Sequence, residues 1–358
     1  MIKELDTKLE TITNNFEKIS NINSALLYDS IQLQEEPIIS VLIITYNRKD
    51  LLQEAFKSAV NQKKINFSYE IIIMDNNPET QTVPEYIKKI RDISVKYYVN
   101  EKNIGHEGNI NRGIQLCRAE WVAMLHDDDL LVHNYLQLAY EYIGKFTNWD
   151  SLGYIRTRHI PFSDINEIEL KRDFKVENIK YMRPQLWSEV LLSGCGPTYV
   201  NSCGSLIRKS IFIKIGGYNS ELDPIGDSTL GIIMMNHGYS VTHTETPMGY
   251  YRQGNNLSSQ KQTNIAFIEA DFWLREYLYK KNNFSQIFGY LFRGTQFSCE
   301  VDNKRQGISK NKNQIEDEDI SYIYKYKNHY LGKIILNILR FVQILLYRPN
   351  RLQRRRYT

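Results

Sequence analysis

From Pro37 onward the chain alternates between short continuous apolar runs and helical segments, and no other feature limits its fold so tightly. ISVLIIT reads as a buried strand, and the segment after it puts Leu51, Leu52, Ala55, Phe56, Ala59 and Val60 on one helical face. YEIIIMD is a second strand, Pro84 opens a helix running through Ile93, VKYYVNE is a third strand, residues 106–118 read as a helix, and WVAML is a fourth strand. Strands without polar alternation need cover on both faces, and the helices between them supply it. The expectation is therefore an α/β fold on a mainly parallel sheet with helices on both faces.

An open parallel sheet binds ligands beyond the carboxyl ends of its strands, so the residues just after each strand matter most. Strand one ends in Thr45, Tyr46, Asn47 and Arg48, strand two in Asp75, Asn76 and Asn77, and strand four in His126, Asp127, Asp128 and Asp129. Taken singly, Asp75 is as readily a turn residue as a ligand contact; the coincidence of three polar strand ends singles out a site. Three consecutive carboxylates repel one another unless a cation offsets them. Oxygen donors suit Mg²⁺ or Mn²⁺, and Mg²⁺ keeps few protein carboxylates and takes phosphate oxygens and water as well, which fits a ligand carrying a pyrophosphate. The alternative for Asp128 and Asp129 is a solvated acidic turn.

Charge and cysteine content narrow the class. A formal net charge of +4 over 358 residues does not indicate a nucleic-acid binder. Cys117, Cys195, Cys203 and Cys299 form no CxxC pair, which argues against a zinc site or a disulfide framework and fits a reducing compartment. The N-terminus has no signal-peptide core and no run of about 18 apolar residues occurs, so a cytoplasmic protein is expected. Ile2, Leu5, Leu9, Ile12, Phe16 and Ile19 recur at spacings of three and four, predicting an amphipathic helix over residues 2–20 whose seam either packs on its own domain or joins a second copy of the chain. At the other end, Lys333, Asn337 and Arg340 form a narrow polar stripe on an otherwise apolar helix followed by Arg348, Arg351, Arg354, Arg355 and Arg356. That pattern reads as an interfacial helix with a basic patch for anionic lipid, or else as a last helix packed on the body.

SVLIITYNR, IIIMDNN, NIGHEGNINRG, WVAMLHDDD and GDSTLGIIMMNHGY, in this order over residues 38–255, resemble the inverting glycosyltransferase family 2, of GT-A fold. The resemblance implies that Thr45, Tyr46 and Asn47 line a nucleotide pocket, that Asp75 meets the base, usually uracil, and that Asn103 and Gly105 shape the loop beneath. By the same carry-over Asp127 lies by the ribose and Asp128 binds a metal, Mn²⁺ or Mg²⁺, that bridges the diphosphate. His126 stands where many members have the first acid of the aspartate motif. Ile110 stands where an arginine is frequent, leaving Asn111 and Gly113 as the matching residues, with Arg112 as a candidate substitute. The family's later acidic pair becomes Gly226 and Asp227, which retains the acid that is usually the catalytic base.

Displacement at an anomeric carbon needs a base for the acceptor hydroxyl, and one carboxylate suffices. Asp227 is that candidate, with Glu221 and Asp223 as substitutes; read without the resemblance, Asp227 is equally an N-cap for LGIIMMNHG. Arg252, in YYRQGNNLSSQ, is either a clamp on donor phosphate or a surface arginine. The absence of the family's processive QxxRW motif points to transfer of a single sugar. The first turn, TYNRKD, lacks the glycines of a dinucleotide-binding dehydrogenase, and an aspartyl-phosphatase reading of Asp127 and Asp129 puts the nucleophile on the wrong strand. A noncatalytic nucleotide-sugar-binding scaffold is the remaining alternative. The expected organisation is an N-terminal helical segment over 1–36, a GT-A domain over 37–255 with nucleotide (37–150) and acceptor (151–255) halves, a helical extension and polar linker over 256–330, and a membrane-associating tail over 331–358. The expected role is extension of a bacterial surface polysaccharide on a lipid-linked intermediate at the inner face of the cell membrane, with a protein or other glycan as the alternative acceptor.

Overall fold

A computed structural model of the chain describes residues 2–30, 35–63, 65–146, 149–176, 182, 184–191, 202–254, 261–282, 334–335, 337–339 and 341–342. The chain divides into two compact units, one of Lys8–Pro184 and Val200–Asn256, the other of Met1–Thr7, Gln185–Tyr199 and Leu257–Thr358. The first holds a nine-stranded sheet: β1 (Ser24–Asp29), β2 (Ile39–Thr45), β3 (Tyr69–Asp75), β4 (Ser94–Asn100), β5 (Trp121–His126), β6 (Leu130–Leu131), β7 (Leu152–Phe162), β8 (Leu206–Arg208) and β9 (Ser240–Arg252). Their order across the sheet is β1-β4-β3-β2-β5-β8-β7-β9-β6. The helices are α1 (Ile2–Glu10), α2 (Lys49–Val60), α3 (Glu85–Lys88), α4 (Gly105–Leu116), α5 (Tyr135–Ile143), α6 (Trp187–Leu191), α7 (Lys209–Lys214), α8 (Gly226–Asn236) and α9 (Lys261–Lys281).

The four strands read from the apolar runs form the parallel centre, β4-β3-β2-β5. All seven residues of β2 are buried, as covering both faces requires. Leu52, Ala55, Phe56 and Ala59 of α2 are buried beside them at helical spacing. Around this centre the sheet is mixed, because β1 pairs antiparallel with β4, and β8 pairs antiparallel with both β5 and β7.

Two expected helices are shorter than their apolar spacing suggested. The N-terminal helix stops at Glu10 instead of reaching residue 20. Asn14 Oδ1 accepts from the Phe16 main-chain N–H, and Asn15 Nδ2 donates to the carbonyls of Thr13 and Gly216, so local side-chain bonds replace helical ones. Leu9, Phe16 and Ile19 are buried while Ile12 is exposed, so the expected seam is not one continuous surface. The stretch assigned to the N-terminal helical segment also contributes β1, and α3 ends at Lys88 because Ser94 already begins β4.

In the second unit, α6 packs on α9, and within α9 the buried Arg275 Nε pairs with Asp271 at 2.8 Å. Residues 334, 335, 337–339, 341 and 342 are helical, with Ile334, Ile338, Phe341 and Val342 exposed. The expected polar linker and the tail's arginines lie outside the described residues, as do Cys195 and Cys299; Cys117 and Cys203 are buried and not in disulfides.

Candidate active site

Strand register brings the polar strand ends into one row, with Thr45 opposite Asp75 across β2 and β3, and Ile44 opposite His126 across β2 and β5. Asp127, just past β5, is buried and accepts from Thr45 Oγ1 at 2.8 Å and the Tyr46 N–H at 3.4 Å. Arg48 Nη1 spans Asp127 at 3.4 Å and Asp128 at 2.8 Å. Burial pushes the Asp127 carboxyl up to about 6, the Thr45 bond pulling it down and the neighbouring Asp128 pushing it further up. Between these groups Asn47 has φ 58°, a left-handed conformation that asparagine tolerates better than most residues, and its Oδ1 accepts from Asn77 Nδ2 at 2.7 Å. Tyr46 beside it is exposed.

The end of β3 is held by its neighbours. Asp75 is buried, one carboxylate oxygen accepting from the Tyr97 hydroxyl at 2.8 Å and the other from the Asn77 N–H at 2.9 Å. Beneath it Asn76 joins three segments: its amide donates to Asn103 Oδ1 and to the Gly105 carbonyl, and its oxygen accepts from Asn100 Nδ2 and the Ile104 N–H. Asn103 Oδ1 also accepts from the Gly105 N–H, and Gly105 has φ 76°, so the loop leading into α4 is built to shape by amides.

Arg252, at the end of β9, closes the acidic turn. Its N–H donates to Asp129 Oδ1 at 3.0 Å and its Nε to the Asp128 carbonyl at 2.9 Å, while its guanidinium pairs with Glu54 and lies 4.5 Å from the centre of the Phe162 ring. It therefore holds the Asp129 carboxylate and the Asp128 main chain in place, and contact of its guanidinium with a donor phosphate would compete with the bonds to Asp128 and Glu54. Burial, and next the neighbouring Asp128, push Asp129 well above the usual carboxylate range. His126, Asp128 and Asp129 each offer a ligand atom, all within 4.8 Å of one another. His126 Nε2 is buried with no hydrogen-bond partner; burial, with the charge of His106 next, pushes its imidazole down to about 4, so it is neutral at neutral pH. Two carboxylates and an imidazole nitrogen are donors that fit a divalent cation, and His126 stands beside the Asp128 and Asp129 expected from the sequence.

The first turn of α8 forms the other wall. Its N-cap is Ile225, so Asp227 lies inside the helix and is not the cap. The Tyr218 hydroxyl donates to Asp227 Oδ1 at 2.8 Å. Burial raises the Asp227 pKa, with the Tyr218 bond and the charge of His106 lowering it. Tyr218 is placed by a two-way amide clamp: its N–H donates to Asn111 Oδ1 at 2.8 Å and its carbonyl accepts from Asn111 Nδ2 at 2.9 Å. Gly226 has neither a left-handed φ nor a close neighbour; a Cβ there would stand 3.5 Å from Tyr218 and 3.8 Å from Glu107 Oε1. The space left beside the missing acid thus faces a glutamate from α4, whose pKa burial raises, the charge of His106 lowering it and Asp223 and Asp227 raising it.

Glu221 is not a substitute base: it pairs with Lys8 at 2.9 Å and Lys18 at 2.8 Å, whose hydrogen bonds and charges hold its carboxyl down at about 2. Asp223 caps the short turn before α8 and is exposed. Nor does Arg112 replace the arginine absent at Ile110, because its Nη2 donates to the carbonyls of Ile19 and Ile22, and Ile110 itself is buried. Gly113 is required by packing: a Cβ there would meet Leu42 at 2.5 Å.

Residues 40–215 match the family model described as glycosyl transferase family 2. The chain carries a glycosyltransferase family 2 domain. Among similar proteins are an uncharacterised glycosyltransferase of Methanocaldococcus jannaschii, 29% identical over 41% of this chain, and the GalNAc(5)-diNAcBac-PP-undecaprenol beta-1,3-glucosyltransferase of Campylobacter jejuni, 37% identical over 27% of it. The matched stretches span 49% and 31% of those relatives. The mannosyltransferase PcManGT from Pyrobaculum calidifontis, solved with GDP-Man and Mn²⁺, shares the fold at a TM-score of 0.50, with 11% identity over 98% of this chain and 92% of its own.

Within the transferase domain, sequence reasoning named Asn76 only as part of a polar strand end and missed Tyr97, Glu107, Tyr218 and His106. His106 lies beside the acidic turn, its ring edge-on to His126 at 5.1 Å between centroids. Asn76 had a local signal, because it directly follows a strand-end aspartate. Tyr218 and Glu107 had none, because the fold alone brings them to Asp227.

Proposed function

We propose that the chain transfers one sugar from a nucleotide-sugar, a UDP-sugar, to an acceptor hydroxyl with inversion. The observation that carries this reading is the row of Thr45, Asp75 and the acidic turn at the carboxyl ends of neighbouring strands. Asp75, Asn77, Asn103 and Gly105 would cradle the base; Thr45, Tyr46, Asn47, Arg48 and Asp127 would face the ribose and diphosphate, with Arg252 fixing the turn. His126, Asp128 and Asp129 would hold the cation, which when bound supplies Lewis-acid stabilisation of the leaving diphosphate. The acceptor oxygen forms its bond to the anomeric carbon as the bond to the diphosphate oxygen breaks; the electron pair leaves on the diphosphate and the acceptor proton goes to Asp227. Tyr218 aims that carboxylate, since burial keeps its hydroxyl protonated.

A lipid-linked or surface-polymer acceptor is supported by the relatives' names: the Campylobacter protein is named for an undecaprenol-linked glycan, and a Staphylococcus aureus relative, 35% identical over 31% of this chain, is named a poly(ribitol-phosphate) beta-N-acetylglucosaminyltransferase. Attachment to the inner membrane face would use the exposed apolar residues Ile334, Ile338, Phe341 and Val342 together with the arginines that follow in sequence. No helix among the described residues is long and apolar enough to cross a membrane.

The test is calorimetric titration of UDP, dTDP and GDP into the chain with Mn²⁺ and with chelator. Metal-dependent UDP binding, lost in Asp128→Ala, is expected. Absence of nucleotide binding under every metal condition would overturn the donor-site assignment.

A further inference from the structure

The acidic turn contains one group that a purely carboxylate site does not need. His126 ends β5, with its backbone fixed by pairing to Ile44 of β2. A buried imidazole nitrogen without a partner is costly, about 1–3 kcal/mol for a polar group of this kind, and His126 Nε2 is such an atom. His106 offers it a ring edge at 5.1 Å between centroids, with the planes at 75°, and no hydrogen bond to Nε2. The ligand atoms of His126, Asp128 and Asp129 lie within 4.8 Å of one another. Ligands about 2.1 Å from a first-row divalent ion stand roughly 3–4.3 Å apart, so small side-chain rotations would close the set.

We propose that His126 is the nitrogen ligand of a mixed nitrogen–oxygen site with Asp128 and Asp129, and that this selects Mn²⁺ and other first-row transition ions over Mg²⁺ and Ca²⁺. The inference rests on the reading that the acidic turn holds a cation. Its chemical basis is that Mg²⁺ and Ca²⁺ are hard ions that favour all-oxygen surroundings, whereas imidazole binds transition ions well. Asp128 Oδ2 is shared with Arg48 and Asp129 Oδ1 with the Arg252 main-chain N–H, so the carboxylates are already oriented and the imidazole contributes the discrimination.

The test uses the full chain with Mn²⁺ as the probe. Mn²⁺ is titrated with and without UDP by electron paramagnetic resonance, the bound ion is examined by pulsed methods for hyperfine modulation from imidazole nitrogen, and Mg²⁺ is used as competitor. In the unmutated chain a nitrogen modulation that changes with isotopically labelled histidine is expected. In His126→Asp the ion should still bind, the modulation should vanish, and the preference for Mn²⁺ over Mg²⁺ should fall by about tenfold or more, the usual size of an effect on metal affinity. Bound Mn²⁺ with no nitrogen modulation in the unmutated chain, or an unchanged preference in a folded His126→Asp, would overturn the assignment of His126 while leaving the cation site standing. No Mn²⁺ binding to the unmutated chain, with or without UDP, would overturn the cation reading itself.

Discussion

At the amino ends of the central strands, Glu70 is fully buried, and its Oε1 accepts from the Ser40 hydroxyl and the Arg118 main-chain N–H, each at 2.6 Å. At the carboxyl ends of the same sheet, Asp75, Asp127 and Asp129 are buried, yet the turn following β5 also draws in Arg48 and Arg252 and tolerates Asn47 at φ 58°. The donors on Glu70 are neutral groups that tie strand to loop. Those around the acidic turn include two guanidinium groups, and positive charge is what a cation or a cationic side chain alike can provide. Buried acid alone therefore does not mark a site; the kind of partner it has acquired does.

The largest effect expected is on chemistry. Asp227→Asn should lower the rate of sugar transfer by about 10²–10⁴-fold, the usual worth of a positioned base, with Mn²⁺-dependent UDP affinity unchanged in calorimetry. Transfer at the unmutated rate would remove the base from that wall of the cleft.

Next is a pH effect confined to the carboxyl end. The Asp127 carboxyl sits at about 6 in the folded chain against an ordinary value of 3.8, chiefly because it is buried. The folded state then holds a proton that the unfolded chain has released, so stability from this group is present at low pH and lost as pH rises from about 4 to 6. Urea midpoints measured in chelator should fall across that window by an amount on the order of 2–3 kcal/mol, and Asp127→Asn should flatten the slope. Asp129, Asp227 and Glu107, also raised by burial, supply slope of the same sign that remains in the variant; a slope undiminished by the substitution would take the proton off Asp127.

Two glycines give a contrast of intermediate size. Gly113→Ala should cost about 1–3 kcal/mol in denaturant unfolding, as overpacking does, because its Cβ would lie 2.5 Å from Leu42 and 2.9 Å from Met74. Gly226→Ala meets nothing closer than 3.5 Å and removes a glycine from a helix, so it should be neutral or stabilise by up to about 1 kcal/mol. A strong loss of stability from Gly226→Ala would show that this glycine serves the fold instead of leaving room beside Glu107.

The smallest effects compare the two ends of β2 directly. Ser40→Ala removes one of the two hydrogen bonds to Glu70 and strands the Ala119 N–H, and should lower stability by about 1–2 kcal/mol without altering nucleotide binding. Thr45→Val removes one bond to Asp127 and should cost about 1 kcal/mol or less, yet weaken UDP binding measurably. Equal consequences for UDP binding from both variants would erase the distinction between the ends.

The parallel centre is legible in the amino-acid sequence, because unbroken apolar runs such as ISVLIIT demand cover on both faces. Strand ends are local features too, so Thr45, Asp75 and the three aspartates can be named from the chain alone. The antiparallel flanks are not legible, since LIR in β8 is too short to stand out. Neither is the early stop of α1, because the apolar spacing of Ile12, Phe16 and Ile19 continues through a stretch where Asn14 and Asn15 take the main chain elsewhere. Long-range placement is hidden altogether. Tyr218 reaches Asp227 from nine residues away through an asparagine 107 positions earlier, and Glu107 faces Gly226 only because α4 and α8 meet.

Helix α4 carries His106 and Glu107 at its start, clamps Tyr218 through Asn111, and grips the carbonyls of Ile19 and Ile22 through Arg112. A chimaera that grafts residues 202–236 from a relative would therefore carry Tyr218 and Asp227 without the clamp that places them unless position 111 travelled with it. Changes in these two distant stretches of chain should accordingly be inherited together, and recombination breakpoints between them should be selected against.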